Sequence, residues 1–294
     1  MKKVLSVLLF LILGAIFYSF GLSTYENIMA DKKIAAFINA AIYDEELSTE
    51  ERKFYYVKSN NPAENPAFTI ESGRLYPGYL GDILVSQESP FPSVAVVHQF
   101  ISYYFGGHAA LVFEDNFVID MAGYLSEGEK ISDYIFHKVK YDEDGHSNND
   151  HLKSATPSIT QNYFGVKNFR TEDDYYSKYW RGYYRDKFIG LRVNTTNEVR
   201  EAATNNAFEL YLNNVPYNYL FWLDTKEKYY CSDFVVRVYE SVLDENGKKI
   251  VNLNNDGFIV SINDIILSPD IYISYYFEVD KNGVEHIYYL KYVE

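Results

Sequence analysis

The N-terminal region carries the strongest hydrophobic pattern in the chain. Two lysines at positions 2 and 3 precede an uncharged, mostly apolar run over residues 4 to 22. A short basic segment followed by an apolar run is typical of a secretory signal, and a run of about 19 residues is also long enough to span a bilayer. Ser19 and Gly21 are small residues spaced as at a signal-peptidase site. We therefore expect residues 1–22 to be a cleaved signal peptide or a retained membrane anchor, and we expect the protein to act outside the cytoplasm.

A helical pattern continues beyond this run. Between residues 24 and 58 the apolar positions with helical spacing are Ile28, Ile34, Phe37, Ile38, Ala41 and Ile42. Ser48 followed by Glu51 resembles the capping box of a second helix. Asn and Pro residues between positions 60 and 66 indicate a loop. The pattern predicts a helical N-terminal extension and linker over residues 23–73, followed by one main domain over residues 74–294.

Short apolar segments separated by turn residues predict strands in the main domain. They cover residues 82–85, 107–113 and 117–121, and a tail hairpin of residues 271–279 and 284–292 that turns at Asp280-Lys281-Asn282-Gly283. Residues 197–213 and 231–243 have helical periodicity. The stretch of about 125–200 is polar and aromatic without a clear period, and we predict an insert there. The fold class is therefore expected to be α+β.

The hairpin of residues 107–121 has a preferred register. Side chains alternate between the faces of a strand, and one face collects Ala109, Leu111, Phe113, Phe117, Ile119 and Met121. Pairing Phe113 with Phe117 and Leu111 with Ile119 keeps this apolar set together, whereas a slip by one residue would mix the faces. His108 and Asp120 then become diagonal neighbours on the other face, about 7–8 Å apart by Cα and within reach of a hydrogen bond. Judged from the hairpin alone, an exposed histidine near an unrelated aspartate is the commoner arrangement.

Charge and composition narrow the possible functions. The formal net charge is −14 and the sequence shows no basic patch, which argues against nucleic acid as a partner. Hydrophobic residues make up 47% of the chain, which excludes a disordered protein. The chain has one cysteine, Cys231, so no intrachain disulfide can form. That residue is either a buried packing residue or a reactive thiol.

Cys231 begins the helix predicted over residues 231–243. The buried stripe of this helix is expected to consist of Phe234, Val235, Val238, Tyr239 and Val242. Ser232 and Asp233 suit a first turn, where free N–H groups and the positive end of the dipole lie. A helix N-terminus favours the thiolate form of a cysteine, and a nearby histidine favours it further. The backbone N–H of Cys231 would also be placed to bind an oxyanion.

The sequence predicts neither a metal centre nor a cofactor. The residues Asp142-Glu143-Asp144-Gly145 resemble the start of a calcium loop, but the glutamate expected at the end of that motif is missing. We interpret this segment as a solvated turn. Zinc-ligand spacing is missing among the histidines at positions 98, 137, 146, 151 and 286.

Three motifs together resemble a known family. They are Gly81-Asp82-Ile83-Leu84, Gly107-His108-Ala109-Ala110 and Tyr230-Cys231-Ser232-Asp233-Phe234-Val235. In this order they are similar to the circularly permuted papain-like cysteine amidases of the YiiX type, which belong with the NlpC-like peptidases and are related to lecithin:retinol acyltransferase. The resemblance covers roughly residues 74 to 294. It implies a permuted papain-like (NlpC-type) fold in which an antiparallel sheet packs against the Cys-bearing helix.

The resemblance also implies a role for individual residues. Cys231 would be the nucleophile and His108 the general base. Asp120 occupies the position of the polar residue that orients the histidine, which is often Glu or His in the family. Tyr217 lies in a segment, Pro216-Tyr217-Asn218-Tyr219, that is similar to a Tyr-bearing segment of the family. Tyr217, together with Tyr230 and Ser232 beside the nucleophile, would contact the substrate.

The implied reaction is cleavage of an amide, in cell-wall peptide, through a thioester on Cys231. Two alternatives stay open. The first is a lipid ester hydrolase or an acyltransferase on the same scaffold, which would need an apolar groove leading to Cys231. The second is a catalytically silent binding module, and the presence of both His108 and Cys231 argues against it.

Overall fold

The computed structural model describes residues 2–60, 67–71, 73–88, 107–114, 116–165, 186–221, 227–254 and 259–293. Within these ranges the helices are α1 (Lys2–Asn39), α2 (Ile131–Ile135), α3 (Asn197–Leu212), α4 (Cys231–Glu240) and α5 (Ile262–Leu267). The strands are β1 (Ile42–Asp44), β2 (Arg52–Ser59), β3 (Phe68–Glu71), β4 (Arg74–Pro77), β5 (Ile83–Ser86), β6 (His108–Glu114), β7 (Phe117–Met121), β8 (Pro157–Gln161), β9 (Lys187–Val193), β10 (Ile271–Val279) and β11 (Glu285–Tyr292).

Nine of these strands form one mixed sheet in the order β1-β2-β11-β10-β9-β5-β6-β7-β8, and β3 pairs with β4 in a separate hairpin. Neighbouring strands of the large sheet run antiparallel except β2 and β11, which are parallel. The α+β prediction is therefore confirmed, and the expectation of a purely antiparallel sheet is wrong at this one pair. The sheet is wide because strands from opposite ends of the described sequence, β2 and β11, pair in it.

Both faces of the sheet are buried. Ile83, Leu111 and Ile119 point toward α4, whose Phe234 and Val238 complete the same core. The opposite face carries Leu84, Ala110, Val112 and Val118, which share a second core with residues of the β3–β4 hairpin. Burial of both faces explains why β5 to β7 contain nearly continuous apolar sequence.

The predicted helical extension over residues 23–73 is wrong beyond Asn39. The chain turns there into β1 and β2, and β2 lies inside the large sheet beside β11. Ser48, expected to begin a helix, instead donates its hydroxyl to the Asp44 carbonyl and accepts the N–H of Phe54. A short polar side chain satisfies the backbone of a turn in the same way that it caps a helix, so the local pattern does not distinguish the two. Part of the expected linker, residues 61–66, lies outside the described residues.

The predicted insert at about 125–200 also requires correction. Its described residues include β8 at one edge of the sheet and β9 between β5 and β10. Gly190 in β9 is needed because a Cβ atom there would lie 2.8 Å from the Cβ of Tyr275. This segment is thus integral to the sheet, and its polar and aromatic character conceals two strands. Residues 166–185 lie outside the described part.

Candidate active site

The hairpin of β6 and β7 brings His108 and Asp120 together. Leu111 pairs with Ile119 as predicted, but the register shifts after Val112, so that Glu114 rather than Phe113 lies opposite Phe117. The predicted Phe113–Phe117 pair is therefore wrong, and Phe117 is 41% exposed. Asn116 adopts a left-handed conformation with φ 68°, which asparagine tolerates and which permits the tighter turn. The change lies at the tip of the hairpin and leaves the predicted His108–Asp120 neighbourhood intact.

The His108 ring is hydrogen-bonded to Asp120. Its Nε2–H donates to Asp120 Oδ2 over 2.7 Å, and both side chains are buried. The predicted contact is confirmed. The carboxylate engages Nε2, and Cys231 lies close enough to act on the pKa of this ring. Nδ1 is the ring nitrogen left for the thiol.

Asp120 receives two further hydrogen bonds that the sequence does not predict. Ser158 on β8 donates its hydroxyl to Oδ1 over 2.9 Å, and the Tyr163 hydroxyl donates to Oδ2 over 2.7 Å. Ser158 is the register partner of Asp120, and the Tyr163 ring lies 6.4 Å from the His108 ring, centroid to centroid. The short alternation of Ser158, Ile159 and Thr160 is the available signal for β8.

These contacts shift the pKa values of both members of the pair. Burial acts to lower the pKa of His108, but the hydrogen bonds and negative charges of Asp120 and Cys231 outweigh it and raise the pKa to about 9. Burial acts to raise the pKa of Asp120, whereas His108, Tyr163 and Ser158 together hold it below its usual value. At neutral pH these shifts favour an imidazolium paired with the Asp120 carboxylate.

Cys231 is the first residue of α4 and is half-buried. The helix packs on β6 and β7, so the thiol reaches the end of β6 where His108 lies. The predicted buried stripe is confirmed for Phe234, Val235, Val238 and Tyr239. The structure thus brings Cys231 to the hairpin that carries His108 and Asp120.

The two residues that flank Cys231 both bond to the backbone of Val260. Ser232 is buried and donates its hydroxyl to the Val260 carbonyl over 2.7 Å. The Tyr230 hydroxyl accepts the Val260 N–H over 2.7 Å. Both hydroxyl groups thus hold residue 260 beside the nucleophile, and the expectation that Ser232 and Tyr230 contact a substrate stays a prediction.

Tyr217 lies next to the nucleophile. Residues 216–218 pair with Tyr229 in a short parallel bridge, and the Tyr217 ring covers Gly123, where a Cβ atom would lie 2.8 Å from the ring. Burial raises the pKa of Tyr217 well above its usual value, and negative charge at Cys231 raises it further. This phenol therefore keeps its proton and can act as a hydrogen-bond donor beside the sulfur.

A buried ion pair supports the strand before the histidine. Asp82 accepts two hydrogen bonds from Arg192, each 2.7 Å long, and both side chains are buried. Gly81 has φ +81°, and a Cβ atom at this position would lie 2.8 Å from side-chain atoms of both Arg200 and Tyr239. The Tyr239 hydroxyl of α4 donates to the Gly81 carbonyl. The Gly81-Asp82 motif thus ties α4 to β5, the neighbour of the His108 strand.

The calcium-like segment is a hairpin turn. Asp142 Oδ1 accepts the backbone N–H groups of residues 144 and 146. Asp244 and Asp280 make the same pair of bonds in two other turns of similar sequence. Asp142, Asp144 and His146 lie close together but are exposed. The repeated geometry supports the interpretation of a solvated turn.

The described residues include one helix, α1, that is long and apolar enough to cross a membrane by length and composition. This helix is compatible with export of the chain.

Comparison with known proteins identifies no relative, since neither a family model nor a curated protein nor a solved structure matches this chain.

Proposed function

We propose that this chain is an exported cysteine hydrolase with a circularly permuted papain-like fold, which cleaves an amide in cell-wall peptide through a thioester on Cys231. The observation that carries the proposal is the hydrogen-bonded pair of Asp120 and His108 beside Cys231, which begins α4. The chain order of histidine, aspartate and cysteine supports the permuted arrangement. So does the packing of α4 on the strands that carry His108 and Asp120.

The chemistry follows from the charge states of these groups. The Cys231 sulfur, as thiolate, attacks the substrate carbonyl, and the carbonyl oxygen becomes an oxyanion. The backbone N–H of Cys231 and the Tyr217 hydroxyl are the donors proposed to stabilise it. The His108 imidazolium protonates the leaving amine as the C–N bond breaks, which leaves an acyl thioester and a neutral imidazole. His108 then takes a proton from water, the hydroxide attacks the thioester, and the acid product leaves as the thiolate and imidazolium are restored.

A second substrate class is supported by a specific observation. Phe221 is 37% exposed, and its ring contacts both Tyr217 and Tyr230 beside the nucleophile. The adjacent Leu220 is 45% exposed. An apolar approach to Cys231 favours a lipid acyl group, so a lipid ester hydrolase or an acyltransferase is the alternative. A catalytically silent binding module is disfavoured because a carboxylate–imidazolium pair held beside the thiol has no use in simple binding.

The test is covalent labelling followed by a substrate panel. We expect folded protein to react with iodoacetamide at neutral pH and to give one adduct per chain, at Cys231. We also expect hydrolysis of an amide or ester substrate that Cys231→Ser abolishes. Cys231→Ser keeps a small polar group at the helix start and so serves as the matched control. Resistance to labelling until the protein is denatured, or equal hydrolysis by the Cys231→Ser variant, would refute the proposal.

A further inference from the structure

The side chains of helix α1 change from exposed to partly buried at Leu22. From Ser6 to Gly21 every described side chain is exposed, and most of these residues are apolar. From Leu22 onward side chains become covered by the protein, beginning with the buried Ser23 and continuing through Ala30 and Ile34. The exposed part coincides with the uncharged run, so a lipid bilayer is the environment that its composition fits. The body of the protein begins immediately where that run ends.

The docked part of α1 fixes a direction. Asn27 lies five residues beyond Leu22, about 7.5 Å along the helix axis, and its Oδ1 accepts a hydrogen bond from Asn263 Nδ2 in α5 over 2.9 Å. Farther from the apolar run, Lys33 donates to the carbonyls of Ile266 and Ile271. Moving away from the apolar run, the contacts pass from Asn27 to Lys33 along α1 and from Asn263 to Ile266 along α5. The two helices therefore run in the same direction. The N-terminal end of α5 is therefore the end nearer the apolar run.

That end of α5 is joined to the candidate active site. Ser261 caps α5, and the residue before it is Val260, which Tyr230 and Ser232 clamp on either side of Cys231. Asn263 also accepts a hydrogen bond from Gln87, which directly follows the strand partner of His108. The Cys231 side and the His108 side of the candidate site are therefore both linked to α5 at the height where the apolar run of α1 ends.

We infer that α1 is a retained membrane anchor and that Cys231 acts on an acyl group held at the membrane surface, such as an amide or ester whose own lipid chain lies in the bilayer. The substrate class rests on the proposed function, whereas the position of the thiol does not. Because α1 continues without a break from the exposed run into its docked part, the body cannot move away from the bilayer without undocking the helix.

The single thiol makes this geometry measurable without turnover. Full-length protein would be placed in phospholipid vesicles that carry a maleimide on the lipid headgroup, and adduct formation would be compared with that of soluble N-ethylmaleimide. The test variant carries seven added helix-forming residues between Leu22 and Ser23. This insertion adds two turns and lifts the body by about 10 Å. The control carries seven residues in the exposed turn of residues 280–283, which leaves α1 unchanged.

We expect the α1 insertion to slow the lipid-borne reaction by about tenfold or more, because a tether that cannot span the gap delivers almost no reagent. The soluble reagent should react equally with all three proteins, and the turn insertion should behave as the original chain. An α1 insertion that leaves the lipid-borne reaction unchanged would overturn the inference. N-terminal sequencing that finds the chain cleaved after Gly21 would do so as well.

The same vesicles separate this inference from the proposed function. They would carry either a lipid-linked peptide or phospholipid alone, and hydrolysis of one or the other identifies the source of the acyl group. If the lipid-borne maleimide labels Cys231 while neither compound is hydrolysed, the hydrolase proposal and the substrate class fail, and the position of the thiol at the membrane stands. Faster hydrolysis of a detached, soluble peptide than of its lipid-linked form would contradict the substrate class.

Discussion

Asp120 accepts three hydrogen bonds from side chains, and this explains how a buried carboxylate remains ionised next to His108. Replacing it with asparagine keeps the size of the side chain but removes the charge that holds the proton on the imidazole. We expect Asp120→Asn to lower hydrolysis by on the order of 100-fold or more, since the histidine loses its orientation and its positive charge. The pH profile of iodoacetamide labelling should also shift in this variant.

Ser158→Ala is the matched control for this substitution. It removes one hydrogen bond to Asp120 Oδ1 but leaves the bonds from His108 and Tyr163 in place. We expect this variant to retain most of the activity and an unchanged pH profile of labelling. Full activity in Asp120→Asn, with an unshifted profile, would show that the carboxylate does not orient His108.

The raised pKa of His108 also predicts how stability depends on pH. The folded protein holds this proton more tightly than the unfolded chain does, so the stabilisation is complete below pH 6.5 and is lost as the pH rises through about 9. The difference between those two values corresponds to about 3 kcal/mol at most. We expect urea unfolding to show a falling free energy of unfolding between pH 7 and pH 9. His108→Gln, which can still donate to Asp120 but does not titrate, should lack that decline.

Among the elements, β5 and β9 are held by the buried ion pair of Asp82 and Arg192. We expect this pair to contribute more to the free energy of unfolding than any exposed ion pair of the described residues. Asp82→Ala would remove the carboxylate that pairs with the buried Arg192 guanidinium beside β5 and β9. We expect a loss of about 3–5 kcal/mol in the free energy of unfolding. Lys249→Ala breaks an ion pair whose lysine is 55% exposed, and it should cost no more than about 1 kcal/mol. Chemical denaturation of both variants at neutral pH is the measurement, and equal losses would contradict this assignment.

Elements with local partners can be predicted from sequence, and elements with distant partners cannot. The tail hairpin is predicted almost to the residue because its turn and both strands are adjacent in the chain. The local pattern places β2 in a helix because the partner of this strand, β11, lies at the other end of the sequence. The same limit applies in the site, where the hairpin register gives His108 and Asp120, but Tyr163 and Ser158 require knowledge of where β8 lies.

At the scale of the whole molecule, α1 predicts where the protein is found. We expect full-length protein in the membrane fraction of cells that express it. Removing residues 1–22 should leave a body whose docked helix begins at Ser23. Fractionation followed by detection of a C-terminal tag is the measurement. Full-length chain recovered from the cytosol without membrane would contradict both export and anchoring.

The parallel pairing of β2 with β11 has a consequence for how the chain folds. Arg52 of β2 bonds to Glu285 of β11 across 233 positions of sequence. Because β11 lies between β2 and β10, the sheet cannot be completed until β11 has been synthesised. Such high contact order slows folding and prolongs exposure of unpaired strand edges. A chain that ends before β11 would therefore leave the edges of β2 and β10 both unpaired, and we expect it to be degraded or to aggregate rather than to form a weaker version of the same fold.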